Sequence, residues 1–344
     1  MTHPALQRAV DYTLALLHIP SPTGYTKQAA QYVQQTLSAM GFPTQTTRQG
    51  AILSTLGGEG APLLLCAHVD TLGAMVRAVK ENGRLRFTRI GAYAHNCIEN
   101  ENCLVHTRDG RTYTGTFQLY TPSRHIYRNA VADTPRDNQT MEVLLDECVC
   151  NADMTRALGI QPGDFISIDP RTLLTPSGYL KSRHLDDKAC AGILLALAEQ
   201  VATHAVTLHR KIYLHFSIYE EVGHGLSSAI PDDVEEVLAL DMGCVGDDLS
   251  CNEHKVSICA KDSCGPFHYD FVSRLASLAL AHRLDYALDI YPSYGSDADA
   301  ALLAGYDVIH GLIGPGIYAS HGYERTHLDG ISNTLWLTQY YIEQ

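Results

Sequence analysis

Two apolar rhythms run along this chain, and the second interrupts the first. Helical spacing of apolar residues over 5–17 and 26–40, with Gly41 as a stop signal, leads into the continuous run Leu63-Leu64-Leu65-Cys66-Ala67. That run is too short and unbroken for an exposed helix, and it predicts a strand buried on both faces of a parallel sheet. From about Gly73 to Pro170 the rhythm becomes alternation, in short segments at 84–90, 103–107, 111–119 and 165–168. Hairpin signals stand at Asn82-Gly83 and Asp109-Gly110. Helix and strand resume after Gly178, with helices predicted over 185–201, 271–282 and 329–342 and strands over 211–218, 237–240 and 307–313. The economical reading is one α/β domain, a mixed sheet flanked by helices, formed by 1–72 and 175–344. A small β-barrel-like domain is inserted over 73–174.

The 344 residues carry 25 Lys and Arg against 38 Asp and Glu, a formal charge of −13. A chain this acidic is poorly equipped to displace counterions from a phosphate backbone, so no nucleic-acid partner is expected. Hydrophobic residues at 45% and charged residues at 18% are those of a globular protein. The longest apolar runs, such as 189–198, fall far short of the roughly 18 to 20 residues of a membrane span, so no membrane partner is expected either. The N-terminus lacks the basic start and apolar core of a secretory signal, and a cytoplasmic location is the expectation. The ten cysteines include no CxxC pair, and Cys148 and Cys150 have no matching ligand cluster. Cys66, Cys190 and Cys259, in apolar surroundings, read as buried reduced thiols rather than a zinc or redox site.

Metal-binding residue types recur where buried elements end. His68-Val69-Asp70 follows the 63–67 run, and alternation on an extended segment puts His68 and Asp70 on one side, where Asp70 can orient the imidazole. A lone His after a strand is ordinarily just a packed, hydrogen-bonded residue. Arg183-His184-Leu185-Asp186-Asp187-Lys188 opens a helix. One Asp there would be a cap; two before a buried Ala/Gly-rich helix are less ordinary, and a carboxylate can give one oxygen to each of two cations. Tyr219-Glu220-Glu221-Val222-Gly223 ends the 211–218 strand. A single Glu would be its solvated end, but two are costly to bury unpaired. Glu221 reads as a cation ligand and Glu220 as a general base toward a water, on a backbone that Gly223 and Gly225 allow to turn. Asp241 follows another short strand, and Ser320-His321-Gly322 follows a Gly-Pro-Gly loop. Ligands of open α/β sheets gather beyond the carboxyl ends of strands, where His68, Glu220, Glu221 and Asp241 fall. Two divalent cations sharing Asp186, with His68 and Asp241 on one side and Glu221 and His321 on the other, would each have three protein ligands and room for a water. Such mixed donors suit zinc, cobalt or manganese, and the implied reaction is hydrolysis of an amide or related bond.

The ordered set His68-x-Asp70, Leu185-Asp186-Asp187, Glu220-Glu221-Val222-Gly223, Asp241 and His321 resembles the M42 family of dinuclear metallo-aminopeptidases, of the tetrahedral or glutamyl aminopeptidase type. The likeness covers essentially the whole chain, including Ser21-Pro22-Thr23-Gly24, Gly163-Asp164-Phe165 and Ser296-Asp297-Ala298. It implies two divalent metal ions per subunit, zinc or cobalt first and manganese next, bridged by Asp186 and completed by His68, Asp241, Glu221 and His321. It implies Glu220 as general base, with Asp70 beside it in the catalytic set, and a cis bond between Asp186 and Asp187. Short peptides as substrates, dimers formed through the insertion and a hollow dodecamer with enclosed active sites are further implications. Exposed strand edges in such an insertion need covering, which argues for self-association independently. Gly223-His224-Gly225-Leu226 departs from the EEVGxxGA common in the family, so the wall beside the base is expected to differ. The segments 262–267 and 319–327 resemble a proteobacterial subgroup associated with the osmoprotectant N-acetylglutaminylglutamine amide, which implies a small peptide-like substrate. Two other readings are a deacylase or dipeptidase acting on N-acylated peptides at the same site, and a non-catalytic oligomeric binding protein on this scaffold. The intact Glu220 speaks against the latter.

Overall fold

The structure, a computed structural model, describes residues 3–344. It separates into two compact units: one runs up to Asp70 and resumes at Arg171, and the other spans Thr71–Pro170. The first unit resumes at Arg171 rather than 175 because Leu173–Leu174 pairs with Tyr179–Ser182, which pairs in turn with Glu324–His327.

The first unit is built on a nine-stranded mixed sheet. Its order is Thr44–Thr46, Ile52–Gly57, Ile212–Ser217, Leu63–His68, Glu236–Leu240, Ile309–Ile317, Val256–Lys261 and Tyr286–Ile290, with Gly243–Cys244 paired to Ile309–Ile317. The four strands from Ile212–Ser217 to Ile309–Ile317 are mutually parallel, and Ile52–Gly57 and Val256–Lys261 run antiparallel on either side. Every residue of Leu63–His68, Ile212–Ser217 and Glu236–Leu240 is buried, as strands covered on both faces of a parallel sheet require. Helix Leu185–Ala202 packs on Leu63–His68 and against helices Pro4–Leu17 and Leu328–Ile342. From Ala189 to Ala198 every residue is apolar and buried, so this part of the helix is apolar all round rather than amphipathic. Each Leu or Ile sequestered there contributes about 1.5–3 kcal/mol. Among the described residues no helix is long and apolar enough to cross a membrane.

The Gly-Pro-Gly segment, read from sequence as a loop, is instead the last part of strand Ile309–Ile317. Gly314 and Pro315 are in antiparallel register with Ser257 and Val256, and Gly316 pairs with Gly243. The glycines are there for clearance: a Cβ on Gly314 would sit 1.4 Å from the Asp241 carbonyl oxygen, and one on Gly316 would sit 2.1 Å from that of Asn252.

The second unit is a closed barrel of antiparallel strands in the order Gly73–Val79, Leu85–Ile90, Met141–Leu145, Thr112–Leu119, Asn102–His106 and Phe165–Ile168. Closure removes the free edges that a small sheet would expose. Val76, Phe87, Val105, Phe117, Val143 and Ile166 fill it, with Phe87 and Phe117 edge-to-face at 5.0 Å. Asn82-Gly83 and Asp109-Gly110 turn the chain between paired strands, as their sequence predicts. Gly73–Val79 and Met141–Leu145 were not predicted, because Gly, Ala and Arg in the first and a short mixed run in the second give little strand signal.

Candidate metal centre

The carboxyl ends of the central parallel strands bring the predicted residues of the first unit together. His68 is the last residue of its strand, 1% exposed. Its Nε2 lies 3.1 Å from Asp186 Oδ1 and 3.6 Å from Glu220 Oε2. The other oxygen of Asp186, Oδ2, lies 3.3 Å from Nε2 of His321, which is 3.6 Å from Glu221 Oε2. Asp186 therefore presents one oxygen to each of two imidazoles. Asp241 follows strand Glu236–Leu240 and gives one oxygen to the Met242 N–H. Burial, reinforced by the neighbouring charge of Asp186, pushes the Asp241 carboxyl up to about 7.

The supports of these side chains explain their placement. The Asp186–Asp187 peptide is cis, and both residues depart from helical dihedrals, so the helix proper begins beyond them. Glu220 and Glu221 stand on a 3-10 turn closed by Gly223 at φ +79°, the turn that two adjacent glutamates on one site require. Gly225 gives clearance to Asp297: a Cβ there would be 1.5 Å from Asp297 Oδ1. Asp297 itself accepts from the Ser217 hydroxyl at 2.7 Å and the Leu226 N–H at 2.9 Å.

Asp70 is fully buried, and its role differs in detail from the sequence expectation. The His68 Nδ1 contact at 3.0 Å is to the main-chain carbonyl of Asp70, while the carboxylate is 3.5 Å away. The carboxylate instead accepts from the Thr23 hydroxyl at 2.7 Å and from the N–H groups of Glu220 and Glu221 at 3.2 and 3.3 Å. It thus pins the turn that carries both glutamates.

Three participants went unassigned in the sequence. Asp187 is fully buried, accepts from the His68 N–H through Oδ2 at 3.1 Å and leaves Oδ1 without a partner. Glu324 accepts from the His321 N–H at 3.0 Å and the Asp186 N–H at 3.2 Å, and so holds His321 in its left-handed conformation, φ +62°. Thr23 anchors Asp70. The adjacent Asp pair and the Ser-Pro-Thr-Gly run signalled two of them, whereas nothing in the pattern set Glu324 apart.

The donor chemistry fits divalent cations. Asp70, Asp186, Asp187, Glu220, Glu221 and Asp241 converge, and among the described residues only His68 and His321 supply a cationic partner within 4 Å of any of them. Buried carboxylates so crowded are costly without positive charge. Burial accordingly pushes the Glu220, Glu221 and Asp187 carboxyls well above their usual range. Donor atoms of His68, Asp186 and Glu221 lie within 4.8 Å of one another, as do those of His68, Asp187 and Asp241. Glu221 Oε1, like Asp187 Oδ1, is buried without a hydrogen-bond partner.

Comparison with known proteins places the chain in a family and matches its fold. The family model described as M42 glutamyl aminopeptidase matches residues 50–337. The candidate aminopeptidase YhfE of Bacillus subtilis (strain 168) is 44% identical over 342 residues, covering 98% of either chain. Among solved structures, an aminopeptidase from the archaeon Desulfurococcus kamchatkensis superposes with a TM-score of 0.87 at 20% identity, over 98% of this chain and 95% of that one. The Pyrococcus horikoshii TET1 peptidase, described as assembling into a tetrahedron or a large octahedral shell, gives 0.85 at 18% identity over 98% and 99%. With a family match over most of its length and a near full-length relative at this identity, the chain belongs to the M42 glutamyl aminopeptidase family.

Proposed function

We propose that this protein is a metal-dependent aminopeptidase that releases N-terminal residues from short peptides. The observation that carries the reading is Asp186, whose two oxygens face His68 and His321 at 3.1 and 3.3 Å. Asp186 would be shared by two divalent ions, with His68 and Asp241 completing one site and Glu221 and His321 the other. Zinc, cobalt or manganese suits this nitrogen and oxygen set. When bound, such ions supply Lewis-acid polarisation of the scissile carbonyl and acidification of a water. Glu220, with its carboxylate beside His68 and at the cavity wall, takes the proton from the attacking water and returns it to the leaving nitrogen. Asp70 positions Glu220 through its backbone, and Glu324 positions Asp186 and His321.

The TET1 neighbours, described as a dodecamer and as a tetrahedral or octahedral shell, support self-association into a dodecamer, with dimers through the inserted barrel unit as the family resemblance implies. Light scattering would show about twelve chains per particle. Unbridged buried thiols at Cys66, Cys103, Cys190 and Cys259 suit a reducing, cytoplasmic compartment.

The test is turnover of amino-acid p-nitroanilides by protein loaded with zinc, cobalt or manganese, beside a peptide-library digest. Glu220→Ala should lower kcat by about 10²- to 10⁴-fold with metal content retained. Equal activity would remove Glu220 from the mechanism. Cleavage only at internal bonds would overturn the aminopeptidase assignment, and turnover confined to N-acylated substrates would favour a deacylase or dipeptidase. Absence of any hydrolysis would favour a binding protein.

A further inference from the structure

The cavity that holds the cluster, about 430 Å³, has a second acidic wall formed with Cys264, Tyr294, Ser296, Asp299 and Leu303. Behind this wall lies Asp262, fully buried. Its Oδ1 accepts from the N–H groups of Cys264 and Gly265 at 2.8 and 3.1 Å, and its Oδ2 has no hydrogen-bond partner among the described residues. Asp299, 6% exposed, accepts through Oδ2 from the N–H and hydroxyl of Ser296 at 2.9 and 3.0 Å. Donor atoms of Asp262, Asp299 and Cys264 lie within 4.8 Å of one another. Each carboxylate is thus fixed through one oxygen, with the other uncommitted.

Among the described residues no Lys or Arg side chain pairs with these carboxylates, and His310, which feels the Asp262 charge, is pushed down by burial. No Lys or Arg among the described residues lines the cavity, and the Lys261 ammonium donates to the main-chain carbonyl of Asp262 at 2.6 Å rather than to a carboxylate. Two facing carboxylates in a desolvated setting are unfavourable unless they share a proton or receive a positive group. Burial and the neighbouring Asp262 accordingly push the Asp299 carboxyl up to about 7.

We infer that Asp262 and Asp299 form an anionic seat for the ammonium or guanidinium group of the residue being released, so that the substrates are peptides with an N-terminal lysine, ornithine or arginine. This rests on the aminopeptidase reading and gives it a substrate class. It also departs from the glutamyl preference in the family's description, because a glutamate side chain would meet carboxylates and a thiol on this wall. The ammonium donates to Asp299 at the cavity wall, and the buried Asp262 carboxylate behind it adds to the negative charge that receives it.

The test pairs binding with turnover. Metal-loaded protein is titrated calorimetrically with lysinamide and norleucinamide, which differ by the terminal ammonium. Lysinamide should bind at least about tenfold tighter, a factor worth about 1.4 kcal/mol, and Asp299→Asn and Asp262→Asn should erase the difference. Equal binding to the wild-type protein overturns the seat whether or not the variants fold. An advantage that survives in folded variants overturns it too. In turnover, lysyl-p-nitroanilide should exceed leucyl- and glutamyl-p-nitroanilide in kcat/KM, mainly through KM. These substrates have no second residue, so a preference seen with them belongs to the released one. A leucyl or glutamyl preference refutes the inference. Selective lysinamide binding without hydrolysis of any anilide would sink the aminopeptidase reading and leave the seat standing. A third metal ion per chain, lost in Asp299→Asn, would assign the pair to a metal and overturn the seat.

Discussion

Asp70→Asn probes the candidate centre without touching a proposed ligand. The Asp70 carboxylate accepts from the Thr23 hydroxyl and from the Glu220 and Glu221 N–H groups, and Oδ1 stands 3.5 Å from His68 Nδ1. An amide keeps a single acceptor oxygen. Turned toward Glu220, it sets its NH₂ against the Glu221 N–H, which loses its acceptor, while the Thr23 hydroxyl can rotate and accept instead. The net loss is one hydrogen bond to an ionised acceptor, about 1.5–3 kcal/mol. At 1.4 kcal/mol per factor of ten, cation binding should weaken by about 10- to 150-fold, the range usual for residues that orient metal ligands. The assay is competition of metal-free protein against a chromophoric zinc chelator, with circular dichroism to confirm the fold. A folded Asp70→Asn protein that binds both ions as tightly as wild type would refute the reasoning.

Three further outcomes are expected. Asp186→Asn, which leaves one oxygen where two imidazoles need one each, should hold fewer than two metal ions per chain by elemental analysis; two would contradict the bridging role. Gly225→Ala places a methyl 1.5 Å from Asp297 Oδ1 and 3.2 Å from the Glu220 Cα. Thermal unfolding should reveal a loss of about 1–3 kcal/mol, with kcat reduced as the Glu220 turn shifts, and unchanged values would show that Asp297 moves freely. His215 is 1% exposed with neither ring nitrogen partnered, and burial pushes it down to about 4. Unfolded, it titrates near 6.5, so between these values the unfolded chain binds the extra proton and stability falls as pH falls. At pH 5 this cost is about 2 kcal/mol. His215→Leu should therefore lose less stability than wild type between pH 8 and 5 in denaturant titrations, and parallel curves would refute the assignment.

The strand ends were legible because the runs before His68 and Asp241 are apolar without interruption and the run before Glu220 is mostly so, with only His215 and Ser217 polar, so the acidic and imidazole residues after them mark exits from the core. Asp186 stood out by pairing with Asp187 before a helix too apolar for solvent. What the pattern could not convey was division of labour. His68 and Asp70 share a side as alternation requires, yet the imidazole contacts the Asp70 backbone while the carboxylate serves a turn 150 residues away. Glu324 is a single acid among polar neighbours, and only the fold brings it to two N–H groups. The Gly-Pro-Gly stretch misled for a related reason: glycines that signal a turn locally were demanded by the neighbouring backbones of Asp241 and Asn252. Strand Gly73–Val79 escaped notice because barrel closure, not its own composition, makes it a strand.

The spread of the donors along the chain has a consequence for biosynthesis. His68 leaves the ribosome 321 − 68 = 253 residues before His321, a delay of about 13–50 s at 5–20 residues per second. In that interval the whole of Thr71–Pro170 is made, while the early imidazole waits for Asp186, then Glu221, then Asp241. On the proposed assignment, a nascent chain accordingly lacks one of the three ligands of the second ion until His321 emerges, which ties completion of that site to synthesis of the segment around His321.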